Sequence, residues 1–417
     1  MFRAGILNQQ TLASPNQWVL NPIADSYVRS GTYGNDNYGS STELLTKGNP
    51  SSPVTSYDRE AYLKFDLSSV QGTPLSAILR VYVFYTNTDP SGFNVYGVTD
   101  DSWTELGITW NNAPGSGGLA LDSVAVPVDA FGWYELDVTQ FVRADADGTL
   151  SLHLQNNVVG ALTNLSMYSR EGTYPPQLIV ETDGHPVTDN LILAIDGTIQ
   201  ESYPGSGTTV NDLSPSGRIG TLANGVSFDG AFVFDGLDDQ INFGSVPSGN
   251  ILTLATAAGA TGFTFHFAVY YDGTGDTYQR IIDKSTSGTG TNGYAVYAWS
   301  GTSSPADGPL KVDQNGNQRC VGINPTLNTW QLWTVTHDAS TGNYVWYLNG
   351  VQVASGTETY LCPNVTANMT IGSWNHSTAR ELKGKISFMR VYSRALNLAE
   401  VEAAHNFYAN RFNLAEV

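Results

Sequence analysis

Apolar and polar positions alternate with a period of two along many short stretches of this chain. In AYLKFDL (61–67), Leu63 and Phe65 fall on one face while Tyr62 and Lys64 fall on the other. ILRVYVFY (78–85) and SLHLQ (151–155) repeat the pattern, and QLIVET (177–182) closes this first series. A period of two is the side-chain spacing of an extended strand, so each stretch predicts a half-buried β-strand. Turn signals such as Asp89-Pro90-Ser91-Gly92 and Asp147-Gly148 separate them.

The polar, Gly- and Pro-containing stretch TDGHPVTDN (182–190) then interrupts the alternation, which predicts a domain boundary. A second strand series follows, with FTFHFAVYY (263–271), YAVYAW (294–299), WTVTHD (333–338), NYVWYLNG (343–350) and KISFMRVY (385–392) as its clearest members. Asn349-Gly350 is a two-residue hairpin signal, because both positions of the required turn need positive φ. One helix is expected, at the end. Asn397 precedes LAEVEAAHNFYANRF and Glu400 stands three residues on, the spacing of a capping box. Val401, Ala404 and Phe407 would form its apolar face, with Leu398 at the start. The expected organisation is an N-terminal arm over 1–21, a β-sandwich over 22–183 and a second sandwich over 190–417. The fold class is all-β: two antiparallel jelly-roll sandwiches with a short C-terminal helix.

Composition agrees. The 417 residues include 43 Gly and 22 Tyr, with only 14% charged. The formal net charge is -19, from 38 acidic and 19 basic residues. Such a surface repels phosphate backbones and anionic membranes, so neither nucleic acid nor a membrane is an expected partner. No run of 18 apolar residues predicts a helical membrane span. The first 18 residues hold no long apolar run of the secretory type. Cys320 and Cys362 could pair across neighbouring strands or stand as two reduced thiols.

Residues 24–182 resemble the disaggregatase-related, DNRLRE-type β-sandwich modules, some of which are carbohydrate-binding modules for alginate. The resemblance rests on ADSYVRSGTYGNDNYGSS (24–41), REAYLKFDLSS (59–69), VYGVTDDSWTELGITWNNAPG (95–115), WYELDVTQFV (133–142) and YSREGTYPPQLIVET (168–182). Residues 190–411 resemble laminin-G-like, concanavalin A-like jelly rolls. There the matching stretches are DLSPSGRIGTLANG (212–225), FDGLDDQINFG (234–244), WQLWTVTHDASTGNYVWYLNGVQVASG (330–356), MTIGSW (369–374) and GKISFMRVYSRALNLAEV (384–401). The ending AAHNFYANRF (403–412) is similar to the tails of such domains in bacteriophage structural proteins.

Three groups of residues carry candidate chemistry. Arg29, Arg59, Lys64 and Arg170 lie in the first domain's motifs and could converge to bind a uronic-acid polymer, since guanidinium groups match carboxylates. They could equally pair with Glu60, Asp66 or Glu171. Asp235, Asp238 and Asp239 crowd the turn FDGLDD, and carboxylates in a tight turn suit calcium, which takes six to eight oxygens. Related jelly rolls bind structural calcium, although Ser387 stands where many carry an acid. Trp299 and Trp374 sit beside polar loops and are the expected sugar platforms; Trp103, Trp110, Trp133, Trp330, Trp333 and Trp346 read as core.

Catalytic signals are thin. Glu105 with Asp101, or Asp283 with Asp338, could form a glycosidase pair only at a suitable carboxyl separation. No GxSxG, HExxH or P-loop motif occurs. The expected function is therefore that of a non-catalytic virion structural protein of a bacteriophage, a tail or capsid fibre or decoration protein. Its N-terminal arm would contact other virion proteins and its modules surface polysaccharide, with a homo-oligomer compatible. A secreted carbohydrate-binding protein or adhesin, and a polysaccharide lyase or hydrolase, are the competing classes.

Overall fold

A computed structural model describes residues 16–48, 58–86, 91–145, 147–157, 164–246, 261–272, 278–286, 293–299, 310–314, 317–320, 325–357, 366–374 and 380–417. The fold is all-β with antiparallel strand pairing, and among the described residues it carries two α-helices: the expected one near the C-terminus and a six-residue helix, Thr139–Ala144, that the sequence pattern did not predict. It divides into two compact units between Gly184 and His185. Cys362 and the side chain of Cys320 lie outside the described residues.

In the first unit the strands are β1 (Gln17–Leu20), β2 (Ala24–Arg29), β3 (Glu43–Lys47), β4 (Arg59–Asp66), β5 (Pro74–Thr86) and β6 (Ser91–Val98). They continue as β7 (Asp122–Val126), β8 (Gly132–Asp137), β9 (Thr149–Asn156), β10 (Asn164–Tyr168) and β11 (Gln177–Thr182). The ladder runs β1-β11-β5-β10-β3-β4-β9-β6-β7, with β2 on β4 and β8 on β5. The alternation read from the sequence is the packing pattern. Leu63 and Phe65 of β4, Leu79, Val81 and Val83 of β5 and Leu152 and Leu154 of β9 meet in one core, each fully buried. The expected arm is corrected at its end: Gln17–Leu20 pairs with β11, Trp18 opposite Val180. Only 1–15 of that segment falls outside the described residues.

The second unit packs two sheets face to face. Its strands in chain order are β12 (Leu191–Asp196), β13 (Thr209–Asn211), β14 (Ile219–Ala223), β15 (Ser227–Phe228), β16 (Phe232–Asp235), β17 (Gln240–Val246), β18 (Gly262–Tyr271) and β19 (Tyr278–Ser285). Next come β20 (Gly293–Trp299), β21 (Leu310–Gln314), β22 (Asn317–Cys320), β23 (Trp330–Asp338), β24 (Asn343–Leu348), β25 (Val351–Thr357), β26 (Ala367–Ile371) and β27 (Lys383–Tyr392). One sheet is β15-β16-β27-β18-β23-β24-β25 with β12 on β27, and the other is β13-β14-β17-β26-β19-β20-β21-β22. Phe265, Phe267, Trp333, Trp346 and Met389 of the first face Ile241, Ile282, Val296 and Ile371 of the second. Asn349 and Gly350 take φ of 49° and 77°, as the predicted hairpin requires.

The terminal helix α1 (Leu398–Ala409) begins with the expected capping box between Asn397 and Glu400. Its buried face differs from expectation. Val401, Ala404, His405 and Tyr408 are buried, whereas Phe407 and Leu398 are 38% and 52% exposed. Tyr408 stacks on Phe388 with centroids 3.6 Å apart and joins Ala268 and Leu332 in a small second core. The helix therefore covers the outer face of β18. That strand alternates in sequence yet is buried on both faces, and His266, on the covered face, has no exposed surface.

Candidate functional site

The four cations of the first unit do not converge. Lys64 is 8% exposed and its Nζ donates to the carbonyls of Asp101 (2.8 Å) and Trp103, while lying 4.5 Å from the centre of the Trp103 ring. Arg170 donates to the Ile23 carbonyl and to Glu105 Oε1 (3.0 Å), with Glu171 at 3.5 Å. Around it, the Asp25 carboxyl accepts from the Arg170 backbone N–H (2.7 Å). Burial, above all, pushes the Asp25 carboxyl up to about 7, with Glu171 and Glu105 adding to the rise. Lys64 and Arg170 thus have structural partners, and Arg170 takes the internal pairing with Glu171 that the sequence offered as the alternative.

Arg29 and Arg59 behave differently. They face each other as the terminal pair of the β2–β4 ladder, and Lys47 of β3 is the register partner of Arg59 on its other side. Arg59 shares strand parity with core-facing Ala61 and Leu63, while Lys64, five residues on, has the opposite parity. Arg29 and Arg59 therefore sit where the inner face runs out at the sandwich rim. Neither forms an ion pair among the described residues, and the Nε of each is buried without a hydrogen-bond partner. The Arg29 guanidinium stacks 3.5 Å from the centre of the Tyr33 ring. Tyr27 and Tyr38 stack beside them with centroids 4.2 Å apart and planes 18° apart. Burial and then the Arg29 charge lower the Arg59 pKa; burial and then Arg59 and Arg29 lower that of Lys47, against the opposing charge of Asp58. Mutual cation repulsion of this kind is relieved by an anion. Lys47 was missed in the sequence because only the strand pairing brings it beside Arg59.

The aromatic candidates divide similarly. Trp103 is 7% exposed with its Nε1 donating to Ser151, and Trp333 and Trp346 are fully buried. Trp374 is half-buried, with the Arg380 guanidinium 4.6 Å from its ring centre, so one face is already occupied. The side chain of Trp299 lies outside the described residues. Trp133 instead joins Tyr82, Tyr168 and Tyr174 in a cluster on the outer side of β5 and β8, with Tyr174 44% exposed.

Asp235, Asp238 and Asp239 are brought together, with carboxylate oxygens all within 4.8 Å of one another. Asp239 is only 2% exposed. Its Oδ2 accepts from the Asp235 N–H (2.8 Å), while its Oδ1 is buried and without a partner. Burial, with Asp235 and Asp238 adding their charges, pushes the Asp239 carboxyl up to about 6. The turn is held by Leu237 N–H donating to Asp235 and by Asn224 donating to the Asp238 carbonyl. An orphaned buried carboxylate oxygen amid two further carboxylates fits a hard dication completed by carbonyl or water oxygens. Ser387 lies elsewhere: β16 places Lys383, not Ser387, opposite Asp235.

Three of the four carboxylates weighed for catalysis are committed to structure, while Asp101 keeps a buried Oδ1 without a hydrogen-bond partner. Glu105 Oε1 accepts from Asp25 N–H and from Arg170. Asp283 is 1% exposed and paired with Arg280 at 2.9 Å, and half-buried Asp338 closes a turn onto Ser340.

Residues 16–182 match the family model of carbohydrate-binding module family 96, and residues 235–402 match that of the concanavalin A-like lectin/glucanases superfamily. The chain thus carries a carbohydrate-binding module followed by a lectin-like domain. A gellan lyase of a Bacillus species is 28% identical over 221 residues, covering 51% of this chain and 9% of that protein. Among solved structures, a Trypanosoma rangeli sialidase aligns with a TM-score of 0.39 at 11% identity, covering 56% of this chain and 35% of its own. Domain 4 of a Geobacillus stearothermophilus arabinanase, in complex with arabinotriose, aligns at 0.35 and 16% identity, over 52% and 98%.

Proposed function

We propose that this protein is a non-catalytic glycan-binding protein whose first unit holds an acidic, uronate-type polysaccharide against Arg29, Arg59 and Lys47. One observation carries the reading: two arginines are placed directly opposite each other, neither in an ion pair among the described residues, in a chain of net charge -19. Internal salt bridging would have been easy in so acidic a protein, and Arg170 shows it. A sugar carboxylate supplies the missing acceptor for the guanidinium forks, and the tyrosines offer apolar faces to the sugar rings. Titration of the full chain with alginate, gellan and neutral dextran tests this. Binding to alginate that weakens with salt, and at least tenfold in a folded Arg29→Gln/Arg59→Gln variant, is expected. Unchanged binding in that variant overturns the site.

The non-catalytic part of the proposal is supported by the commitment of Glu105 and Asp283 to Arg170 and Arg280. Release of new reducing ends from alginate or gellan would replace it with a lyase or hydrolase. The setting proposed is the outside of a bacteriophage particle, as a fibre or capsid-decoration protein reaching host-surface polysaccharide. Its support is the resemblance of residues 403–412 to phage structural domains, and residues 1–15 are the segment proposed to contact other virion proteins. Removing 1–15 leaves β1 intact, so loss of incorporation into particles would assign attachment to that segment. Secretion as a free adhesin is the outcome if particles lack the protein.

A second reading concerns Asp235, Asp238 and Asp239, which would hold a structural calcium ion. It rests on the unpartnered, buried Oδ1 of Asp239. Melting that rises with calcium in the wild type but not in Asp239→Asn is expected; equal melting in calcium and chelator refutes it.

A further inference from the structure

We infer that the second unit carries its own saccharide site, a cleft on the outer side of the β16–β27 pair that takes a single neutral sugar ring. The cleft has a volume of about 240 Å³. Trp330, at the start of β23, and Phe412, after the terminal helix, form its apolar wall, their centroids 5.1 Å apart. Asp229 and Lys385 line it as an ion pair, and Arg411, next to Phe412 in the chain, lines it as well. The Arg411 Nη1 contacts both oxygens of buried Asp196 at 2.9 Å. Gly230, at φ 97°, lies in the rim, and a Cβ there would meet nothing within 4 Å.

Three properties select the ligand. The volume is below the ~300–1,000 Å³ typical of drug-sized sites, which suits one ring rather than a chain inside the cleft. The charges balance: Asp196 and Asp229 against Lys385 and Arg411. A carboxylated sugar would meet two acids as well as two bases, so it gains little over a neutral one, unlike at Arg29 and Arg59, which form no ion pair among the described residues. Finally, each pair keeps unused capacity. Among the described residues, Nε and Nη2 of Arg411 make no hydrogen bond, Lys385 donates only to Asp229, and Asp229 Oδ1 accepts none. Donors and acceptors a few ångströms apart are what a sugar hydroxyl needs, because it both donates and accepts. The C–H face of the ring then packs on the indole of Trp330.

The experiment is titration of the full chain with methyl glycosides of neutral hexoses and 6-deoxyhexoses, and with methyl glucuronide, read by saturation-transfer NMR and tryptophan fluorescence. Saturable binding of at least one neutral glycoside is expected, on the millimolar scale and insensitive to salt. An Asp229→Ala/Lys385→Ala variant, changed only at partly exposed side chains, should melt as the wild type does and bind at least tenfold more weakly. Trp330→Ala should abolish the fluorescence response; because Trp330 also packs on Tyr270, the rim variant decides if this one unfolds. Any of three results overturns the inference: no saturable neutral glycoside, unchanged binding in the rim variant, or tighter binding of the glucuronide.

Discussion

His266 makes the second unit sensitive to acid, and the effect can be worked out in advance. Its imidazole is fully buried under the terminal helix, with Nδ1 2.8 Å from Thr334 Oγ1. Burial, and then the charge of Arg390, lower its pKa from 6.5 to about 3. Below pH 6.5 the unfolded chain gains a proton that the folded chain refuses until about pH 3. Stability present above pH 6.5 is therefore lost as pH falls, by about 1.4 kcal/mol per unit. At pH 4.5, two units below 6.5, the loss is roughly 2.7 kcal/mol from this group. His185, also depressed chiefly by burial, acts in the same direction. Raised carboxylates such as Asp212 act in the opposite direction, so the wild-type curve alone does not isolate His266. A His266→Gln variant does: it lacks the titration and keeps a polar side chain near Thr334. Urea unfolding of both proteins at pH 7.5 and 4.5, followed by calorimetry and fluorescence, measures the difference. The stability gap between wild type and variant should close by roughly 2–3 kcal/mol at the lower pH. A gap that is the same at both values would refute the reasoning.

Other outcomes follow from the same geometry. Asn397→Ala removes the capping box and should cost about 1 kcal/mol in the second unit, read by chemical denaturation. Lys64→Met removes two hydrogen bonds from a buried ammonium to carbonyls and should destabilise the first unit by roughly 1.5–3 kcal/mol. Its binding to alginate, measured on the folded fraction, should be unchanged, which separates Lys64 from Arg59. Gly350→Ala should destabilise by more than about 1 kcal/mol, since φ is 77° and a Cβ would lie 2.5 Å from Val417. At a calcium concentration one hundred times its dissociation constant, the second unit should gain about 2.7 kcal/mol, and Asp239→Asn should lose that gain.

Much of this molecule follows from residues near one another in the chain. Strand alternation, the Asn349-Gly350 turn, the Asn397/Glu400 cap and the polar break at 182–190 each depend on a few consecutive residues. Local sterics and hydrogen bonds settle such features, so they were legible without coordinates. Even the parity of Arg59 and Lys64 could have separated those two cations, because residues five apart on a strand point to opposite faces. What only the tertiary structure decided is which distant residues meet. Arg29 lies opposite Arg59 with Lys47 alongside, and Asp229 pairs with Lys385 across 156 positions. Gln17–Leu20 is a strand because β11 offers it an edge. The outer face of β18 is buried because a helix more than a hundred residues later lies over it. Alternation states that a face is distinct; it does not state whether water, a helix or a ligand will cover it. That choice belongs to the pairing of strands, whose partners are fixed by burial of the whole core rather than by any segment alone.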